Sequence, residues 1–282
     1  MTQFLVYDVF SDEAFGGNQL AVIPDASGLE ESSLQQIARE FNFSESTFVF
    51  PPDDPKHTAK VRIFTPTQEI PFAGHPTVGT AVALSELGRG SSLILELGVG
   101  PIPAEVDGSS AAFTTKVPLD ILAQPDADTV AACLGVETAQ VVGQPVMASV
   151  GLPFVLAELQ DLDALAQSRP VTDAHKLAEG KYPSRLGFAI MAYVRLGNRV
   201  RARMYAPLDN IPEDPATGSA AAALSAYLSE TSGQGGRMEI HQGVEMGRPS
   251  LIKADVELTE GRASAITIKG DAVKTMEGTL VL

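Results

Sequence analysis

Asp214-Pro215-Ala216-Thr217-Gly218-Ser219-Ala220, in the second half of the chain, aligns with His75-Pro76-Thr77-Val78-Gly79-Thr80-Ala81 in the first half. Proline, glycine and alanine match at the same positions, and Thr80 faces Ser219. In both segments a polar residue comes just before a run of small residues that is typical of a buried helix. The alignment therefore points to two similar substructures within one chain.

The stretches before the two segments also match. Arg62-Ile63-Phe64-Thr65-Pro66 precedes the first segment, and Arg203-Met204-Tyr205-Ala206-Pro207 precedes the second. Each stretch has an arginine, an aromatic residue and a closing proline, which together are typical of a strand that ends at a turn. A strand, a polar residue and a small-residue helix in the same order twice predict a duplicated fold.

The start of each small-residue helix suggests an anion-binding site. Proline is favoured at a first helical position, because the N–H it lacks would be unsatisfied there. The remaining free N–H groups and the positive end of the helix dipole attract anions. Two such ends that face one cleft could hold a carboxylate and stabilise a developing enolate. The structural alternative is that Asp214 is a simple helix cap and His75 a turn residue.

Composition excludes several classes of function. The 282 residues carry 20 Lys and Arg against 35 Asp and Glu, so the net charge is −15. This charge argues against a general nucleic-acid binder and against binding to an anionic membrane surface. One cysteine, Cys133, excludes an internal disulfide framework and a thiolate metal cage. With no apolar run of about 18 residues and an acidic N-terminal stretch, a cytoplasmic protein is expected.

Hydrophobic periodicity and turn residues predict alternating strands and helices. We expect an interdomain connector over residues 118–128, because it contains two prolines and several aspartates. Turns are expected at four glycines of the final stretch, among them Gly270. The predicted helices cover 29–41, 74–87, 127–134, 161–179 (helix or loop) and 217–230. The predicted strands cover 4–10, 20–23, 47–50, 60–65, 92–97, 102–106, 111–117, 141–149, 153–159, 186–196, 199–205 and parts of 237–282.

A set of motifs runs in order from residue 9 to residue 250. The motifs are Val9-Phe10 with Phe15-Gly16-Gly17-Asn18, then Ile37-Ala38-Arg39-Glu40-Phe41-Asn42-Phe43-Ser44-Glu45-Ser46, Arg62–Pro66, Phe72-Ala73-Gly74-His75-Pro76-Thr77, Glu213–Ala220, and Gln242-Gly243 through Met246-Gly247-Arg248-Pro249-Ser250. With these motifs the chain resembles the PhzF-like (phenazine biosynthesis-like) isomerases of the diaminopimelate-epimerase fold. The resemblance covers nearly the whole chain.

The resemblance implies an α+β fold with two similar halves related by a pseudo-twofold axis. In each half a curved, mostly antiparallel sheet wraps around a central helix. The expected halves are residues 1–118, completed by a C-terminal strand at about 271–282, and residues 119–270. The resemblance also implies that the active cleft lies between the halves and that the two central helices point their N-termini into it.

The resemblance further implies the roles of individual residues. Glu45 is the expected general acid/base, which carries a proton between substrate carbons, although Asn-Phe-Ser-Glu-Ser alone is more typical of a turn with a solvated acid. His75, which titrates near neutrality in solution, and Asp214 are expected to flank the same substrate. The expected substrate-binding residues are Asn18, Ser44, Gly74, Gly218 and Ser219. The implied protein is a homodimer that acts on a small carboxylate and needs no cofactor or metal.

Departures from related enzymes on this fold keep two alternatives open. Diaminopimelate epimerases and proline racemases use two cysteine thiols at the helix N-termini, where this chain has His75 and Asp214. Cys133 lies in a predicted buried helix face, so a thiol-dependent racemase is disfavoured. The alternatives are a racemase or epimerase without thiols, and a noncatalytic protein that binds small molecules.

Overall fold

The computed structural model describes residues 2–184 and 187–281. Residues 1, 185, 186 and 282 lie outside the described part, including the first residue of the predicted strand 186–196 and the last of the predicted C-terminal strand. The described residues divide into two compact units. The first unit runs to Thr114 and resumes at Ile268, and the second is Thr115–Thr267.

The first unit contains two helices and a mixed sheet. Its helices are α1 (Glu31–Phe41) and α2 (Gly74–Leu84). Its strands are β1 (Thr2–Val9), β2 (Asn18–Ile23), β3 (Glu45–Phe50), β4 (Ala59–Phe64), β5 (Glu69–Ile70), β6 (Ser92–Leu97), β7 (Gly100–Asp107) and β8 (Ser110–Thr115). The second half of a long final strand also belongs to this unit, and its residues 272–280 pair antiparallel with β1.

Among its described residues, the second unit has four α-helices and a similar sheet. Its helices are α3 (Ala127–Leu134), α4 (Leu162–Gln167), α5 (Thr172–Lys181) and α6 (Gly218–Ser232). Its strands are β9 (Asp120–Ala123), β10 (Val141–Ser149), β11 (Pro153–Leu159), β12 (Ile190–Leu196), β13 (Arg199–Ala206), β14 (Ile211–Asp214), β15 (Gly236–Gln242), β16 (Ser250–Thr259) and the first part of β17 (Arg262–Leu280).

The strands of the two units pair in the same sequence. β1 and β2 are antiparallel, β2 and β3 parallel, β3 and β4 antiparallel, and β4 and β6 parallel. In the second unit β10 and β11, β11 and β12, β12 and β13, and β13 and β15 repeat these four relations. One helix, α2 or α6, precedes the last strand of each series. The predicted α+β fold with two similar halves is confirmed.

Helix α2 is buried along its whole length. All eleven of its residues are buried, so the helix has no solvent face and is apolar nearly all round. The Thr80 hydroxyl donates a buried hydrogen bond of 2.9 Å to the Thr47 hydroxyl on β3. Gly79 lies against the sheet so closely that a Cβ atom there would come within 2.6 Å of the side chains of Val9 and Leu20.

An arginine–carboxylate pair occurs at the corresponding place in each unit. Arg62 of β4 binds Glu69 of β5 through two hydrogen bonds of 2.8 and 2.6 Å. Arg203 of β13 binds Glu213 of β14 through two hydrogen bonds of 2.8 Å. Each guanidinium also lies over the aromatic ring two residues further along its strand. The matching Arg-aromatic stretches of the sequence thus make the same contacts.

Three predictions about single elements differ from the structure. The predicted connector 118–128 contains strand β9, which pairs with β10. Gly270, where a turn is predicted, lies inside β17. The glycine leaves room for the ring of Phe10, which occupies the space that a side chain would need there. The predicted helix or loop 161–179 is two helices, since Pro170 between them cannot continue a helix.

We predict that Gly79→Ala destabilises the protein by about 1–3 kcal/mol through overpacking. Alanine is the better helix former by about 1 kcal/mol, so a loss of stability would come from packing alone. Gly180→Ala is the matched control, because Gly180 is an exposed helical glycine with nothing within 4 Å of a Cβ. Urea unfolding of both variants checks this, and a Gly79→Ala protein as stable as wild type would contradict it.

The buried arginine should matter more to stability than its exposed counterpart. Arg203 also donates to the carbonyl oxygens of residues 165, 166 and 168 at the end of α4, and its side chain is 10% exposed. Arg203→Lys cannot satisfy these groups and should cost about 2–3 kcal/mol. Arg62→Lys, whose partners are exposed, should cost less than about 1 kcal/mol. Equal losses in denaturant titrations would refute this difference.

Candidate active site

Four of the predicted site residues lie together in the first unit, and we call Asn18, Ser44, Glu45 and His75 the first-unit cluster. β2 begins at Asn18, β3 begins at Glu45, and these two strands are parallel. Parallel strands start at the same edge of a sheet. Helix α2, which packs on both strands, brings His75 to this edge in its first turn.

The side chains of the cluster form a connected series of polar contacts. The Ser44 hydroxyl donates to Oδ1 of Asn18 at 3.1 Å. The Asn18 amide nitrogen then lies 3.4 Å from Nδ1 of His75. The same Nδ1 atom lies 3.5 Å from Oε2 of Glu45. The imidazole is therefore held between a neutral amide and the carboxylate.

Burial makes His75 a neutral residue. Desolvation lowers the pKa of the His75 imidazole from its usual 6.5 to about 3, and a hydrogen bond with the backbone of Gln19 opposes only part of this shift. In the fold this histidine therefore does not titrate near neutrality as a free imidazole does in solution. Its Nε2 atom is buried and has no hydrogen-bond partner among the described residues.

Glycines position the chain around the first-unit cluster. Gly17 has a φ of +61°, and a Cβ there would collide with the backbone of Val9. Only glycine suits this turn, which delivers Asn18 to the start of β2. Gly74 is the first residue of α2 and is buried. Its position at the helix N-terminus places it where backbone N–H groups have no partner within the helix.

A second group of polar residues surrounds Asp214, and we call Asp214, Thr217 and Gln242 the second-unit cluster. The Thr217 hydroxyl donates to Oδ2 of Asp214 at 2.5 Å. The Gln242 amide nitrogen donates to the Asp214 carbonyl at 2.7 Å and to the Thr217 hydroxyl at 3.1 Å. Gly218 and Ser219 follow directly as the first residues of α6, the former buried and the latter half-buried.

The structure thus divides the predicted site residues between two clusters, each within its own unit. Asn18, Ser44, Glu45 and His75 contact one another in the first unit, and Gly74 adjoins them in the chain. In the second unit, Asp214 is the last residue of β14, and Gly218 and Ser219 are the first two residues of α6. Sequence reasoning assigned no role to Thr217 and Gln242, although both stand in the quoted motifs, Asp-Pro-Ala-Thr and Gln-Gly.

The remaining candidates for chemistry can be described briefly. Burial raises the pKa of the Cys133 thiol to about 12, so it is not a ready nucleophile. Within residues 2–184 and 187–281, no three His, Cys, Asp or Glu side chains are placed to hold a metal ion. In the same ranges, no helix has the length and apolar character to cross a membrane.

Comparison with known proteins places the chain in a family. The profile of the phenazine biosynthesis-like protein family matches residues 7–278. An uncharacterized isomerase of Mesorhizobium japonicum is 39% identical over 99% of this chain and 98% of its own length. A trans-2,3-dihydro-3-hydroxyanthranilate isomerase of Pseudomonas fluorescens is 36% identical over the full length of both chains.

The solved structures agree on the fold. The PhzF-family phenazine biosynthesis protein of Bacillus anthracis superposes with a TM-score of 0.89, covering 100% of this chain and 99% of that one, at 24% sequence identity. The match of the family profile and the identities to named isomerases extend over nearly the whole sequence. The chain belongs to the phenazine biosynthesis-like, or PhzF-like, family of isomerases.

Proposed function

We propose that this protein is a cofactor-independent isomerase that moves a proton between carbons of a small carboxylate, with Glu45 as the general acid/base. The observation that supports this is the placement of the Glu45 carboxylate. Its side chain is 14% exposed and lies 3.5 Å from a wholly buried, neutral imidazole. A carboxyl group enclosed in this way can take a proton from one carbon and return it to another.

A neutral His75 fits this role for Glu45. An imidazolium 3.5 Å away would favour the ionised carboxylate strongly and oppose protonation of Glu45. The neutral ring provides a hydrogen-bonding group without that charge, and its buried Nε2 atom offers a contact to a substrate. We propose that His75 orients Glu45 and the substrate and that Glu45 carries the proton.

The proposed substrate is a small carboxylate with an amino or hydroxyl group. The Pseudomonas fluorescens relative is a trans-2,3-dihydro-3-hydroxyanthranilate isomerase, and its name supports this class of substrate. Gly74 at the start of α2, and Gly218 and Ser219 at the start of α6, are proposed substrate-binding residues, because N–H groups at a helix start attract carboxylates. Asn18 and Ser44 would contact the substrate beside Glu45, and Asp214 would accept a hydrogen bond from its amine or hydroxyl. The family resemblance also supports a cytoplasmic homodimer.

Proton exchange in D₂O tests the proposal directly. We expect wild type to wash deuterium into carbon positions of trans-2,3-dihydro-3-hydroxyanthranilate, or of another member of a panel of amino and hydroxy carboxylates, as followed by NMR. Glu45→Gln removes the acid/base group and should lower the rate by about 10²–10⁴-fold while ligand binding persists. Glu40→Gln, an exposed glutamate on the adjacent helix, is the matched control and should exchange normally.

Three results would count against the proposal in different ways. Near-normal exchange by Glu45→Gln would remove Glu45 from the mechanism. Binding without exchange by wild type would favour the noncatalytic binding protein. Exchange with inversion at a single carbon, without movement of a double bond, would indicate a racemase or epimerase.

The neutral His75 also predicts how stability depends on pH. The unfolded state binds a proton on this residue below about pH 6.5, whereas the folded state binds it only near pH 3. The contribution of the neutral His75 to the free energy of unfolding is therefore fully present above about pH 6.5 and is lost as the pH decreases. His75 should contribute a loss of about 2 kcal/mol between pH 7 and pH 5.

The contribution of His75 is measured by comparing wild type with His75→Gln. Denaturant titrations at pH 7 and pH 5 should show a smaller loss of stability in the variant. His175, whose pKa burial also lowers, remains in both proteins and cancels in the comparison. Equal losses in the two proteins, or an imidazolium signal for His75 in ¹⁵N NMR spectra at pH 6, would contradict a neutral ring.

A further inference from the structure

The side chain of Gln242 is committed entirely to the loop that carries Asp214. Gln242 is fully buried at the end of β15. Its Oε1 atom accepts the N–H of Thr217 at 3.2 Å, and its amide nitrogen donates to the Asp214 carbonyl at 2.7 Å. The next residue, Gly243, has a φ of +72°, and a Cβ there would lie 2.6 Å from the Pro215 carbonyl oxygen. The side chain of Gln242 and the backbone of Gly243 thus both pack against the loop that carries Asp214 and restrict its conformation.

These partners fix the orientation of the Gln242 amide. The Thr217 N–H can only donate, and the Asp214 carbonyl can only accept. If the amide were flipped, two donors would face each other at Thr217 and two acceptors would face each other at Asp214. The nitrogen of Gln242 is therefore the atom that lies 3.1 Å from the Thr217 hydroxyl oxygen.

The amide orientation in turn fixes the direction of the Thr217 hydroxyl. Because the Gln242 nitrogen donates to Oγ1 of Thr217, that oxygen acts as an acceptor there. Its single hydrogen remains for the Asp214 carboxylate, whose Oδ2 atom is 2.5 Å away. A hydrogen bond received by a carboxylate favours its ionised form. The Thr217 hydroxyl thus has its hydrogen free to donate to Asp214, which is the direction of this contact.

We propose that Thr217 and Gln242 are positioning residues, which direct one hydrogen bond onto Asp214 and hold it as an ionised acceptor for a donor group of the substrate. The inference rests on the proposed function, in which Asp214 receives the amine or hydroxyl of the substrate. Gln242 acts through Thr217, and Thr217 acts through Asp214. An Asp214 carboxylate held ionised in this way would favour a substrate that presents an N–H or O–H group to it.

Charged groups on the surrounding elements are largely engaged with one another. Glu213, which precedes Asp214 on β14, binds Arg203 of β13 through two hydrogen bonds. On the same strand β13, Arg201 pairs at 2.7 Å with Glu245 of the loop after β15. Arg248 ends that loop, and its backbone N–H donates to the carbonyl of Gly243. None of these contacts involves the Thr217 hydroxyl, which is the group tested.

The test measures the ionisation of Asp214 itself. Protein labelled with ¹³C at the aspartate carboxyls is titrated by NMR, and Asp214→Asn identifies the Asp214 signal. Thr217→Val keeps the shape of the side chain but removes the hydroxyl, so the titration midpoint should rise by about one pH unit or more. Thr217→Ser retains the hydroxyl and should restore a midpoint near that of wild type. Thr231→Val removes a hydroxyl near the other end of α6 and should leave the midpoint unchanged.

The same variants are then assayed for deuterium exchange with trans-2,3-dihydro-3-hydroxyanthranilate as the probe. In Thr217→Val the pH below which exchange declines should move upward with the NMR midpoint. Gln242→Leu, where it folds, should change the midpoint in the same direction as Thr217→Val.

Three outcomes would overturn the inference. An unchanged midpoint in Thr217→Val would show that the hydroxyl does not act on Asp214. An equal shift in Thr217→Ser would assign the effect to packing. A shifted midpoint with an unchanged exchange profile would remove Asp214 from the reaction. Failure of the proposed function is different, because wild type itself would then exchange no deuterium while the NMR midpoints still reported the contact.

Discussion

The complete burial of α2 is the constraint on which the first unit depends. A helix with no solvent face must have small residues wherever strands cross it, which explains Gly79 against β1 and β2. It must also pair every polar side chain, which the Thr80–Thr47 hydrogen bond does for the middle of the helix. At the start of the helix the same requirement falls on His75. Its Nδ1 atom has polar neighbours in Asn18 and Glu45, and its Nε2 atom has no hydrogen-bond partner in the part of the chain that the structure describes.

That unpaired atom connects stability with function. An unsatisfied buried polar atom costs free energy, and a substrate that supplied a partner would recover it. Burial also decides the charge state of the ring, since desolvation lowers the pKa of His75 more than the hydrogen bond to the backbone of Gln19 raises it. The sequence shows that a histidine stands at this position, but it cannot show how much water the ring loses. A local motif therefore points to the residue but not to the pKa that burial gives it.

The duplicated fold was predictable because short segments of the two halves have similar sequences. The two small-residue helices and the Arg-aromatic strands before them align directly. The carboxylates that bind the two arginines do not, because Glu69 follows Arg62 by 7 residues and Glu213 follows Arg203 by 10. The turns differ in length, yet in each unit the returning strand brings a glutamate to the arginine of the preceding strand. Strand β9 and the strand through Gly270 were missed for a related reason, since proline and glycine indicate turns unless tertiary contacts decide otherwise.

The two units present different chemistry on the same frame. In the first, a neutral imidazole lies 3.5 Å from the Glu45 carboxylate, and a neutral amide contacts the same ring, so neither of these two groups adds a positive charge. In the second, a buried glutamine and a threonine point a hydrogen bond at Asp214, and this favours its charged form. This difference in surroundings agrees with the separate tasks that we propose for the two carboxyl groups, proton exchange for Glu45 and a fixed negative charge for Asp214. Sequence motifs identified both carboxyls, but the direction of a hydroxyl hydrogen follows only from which atoms surround it.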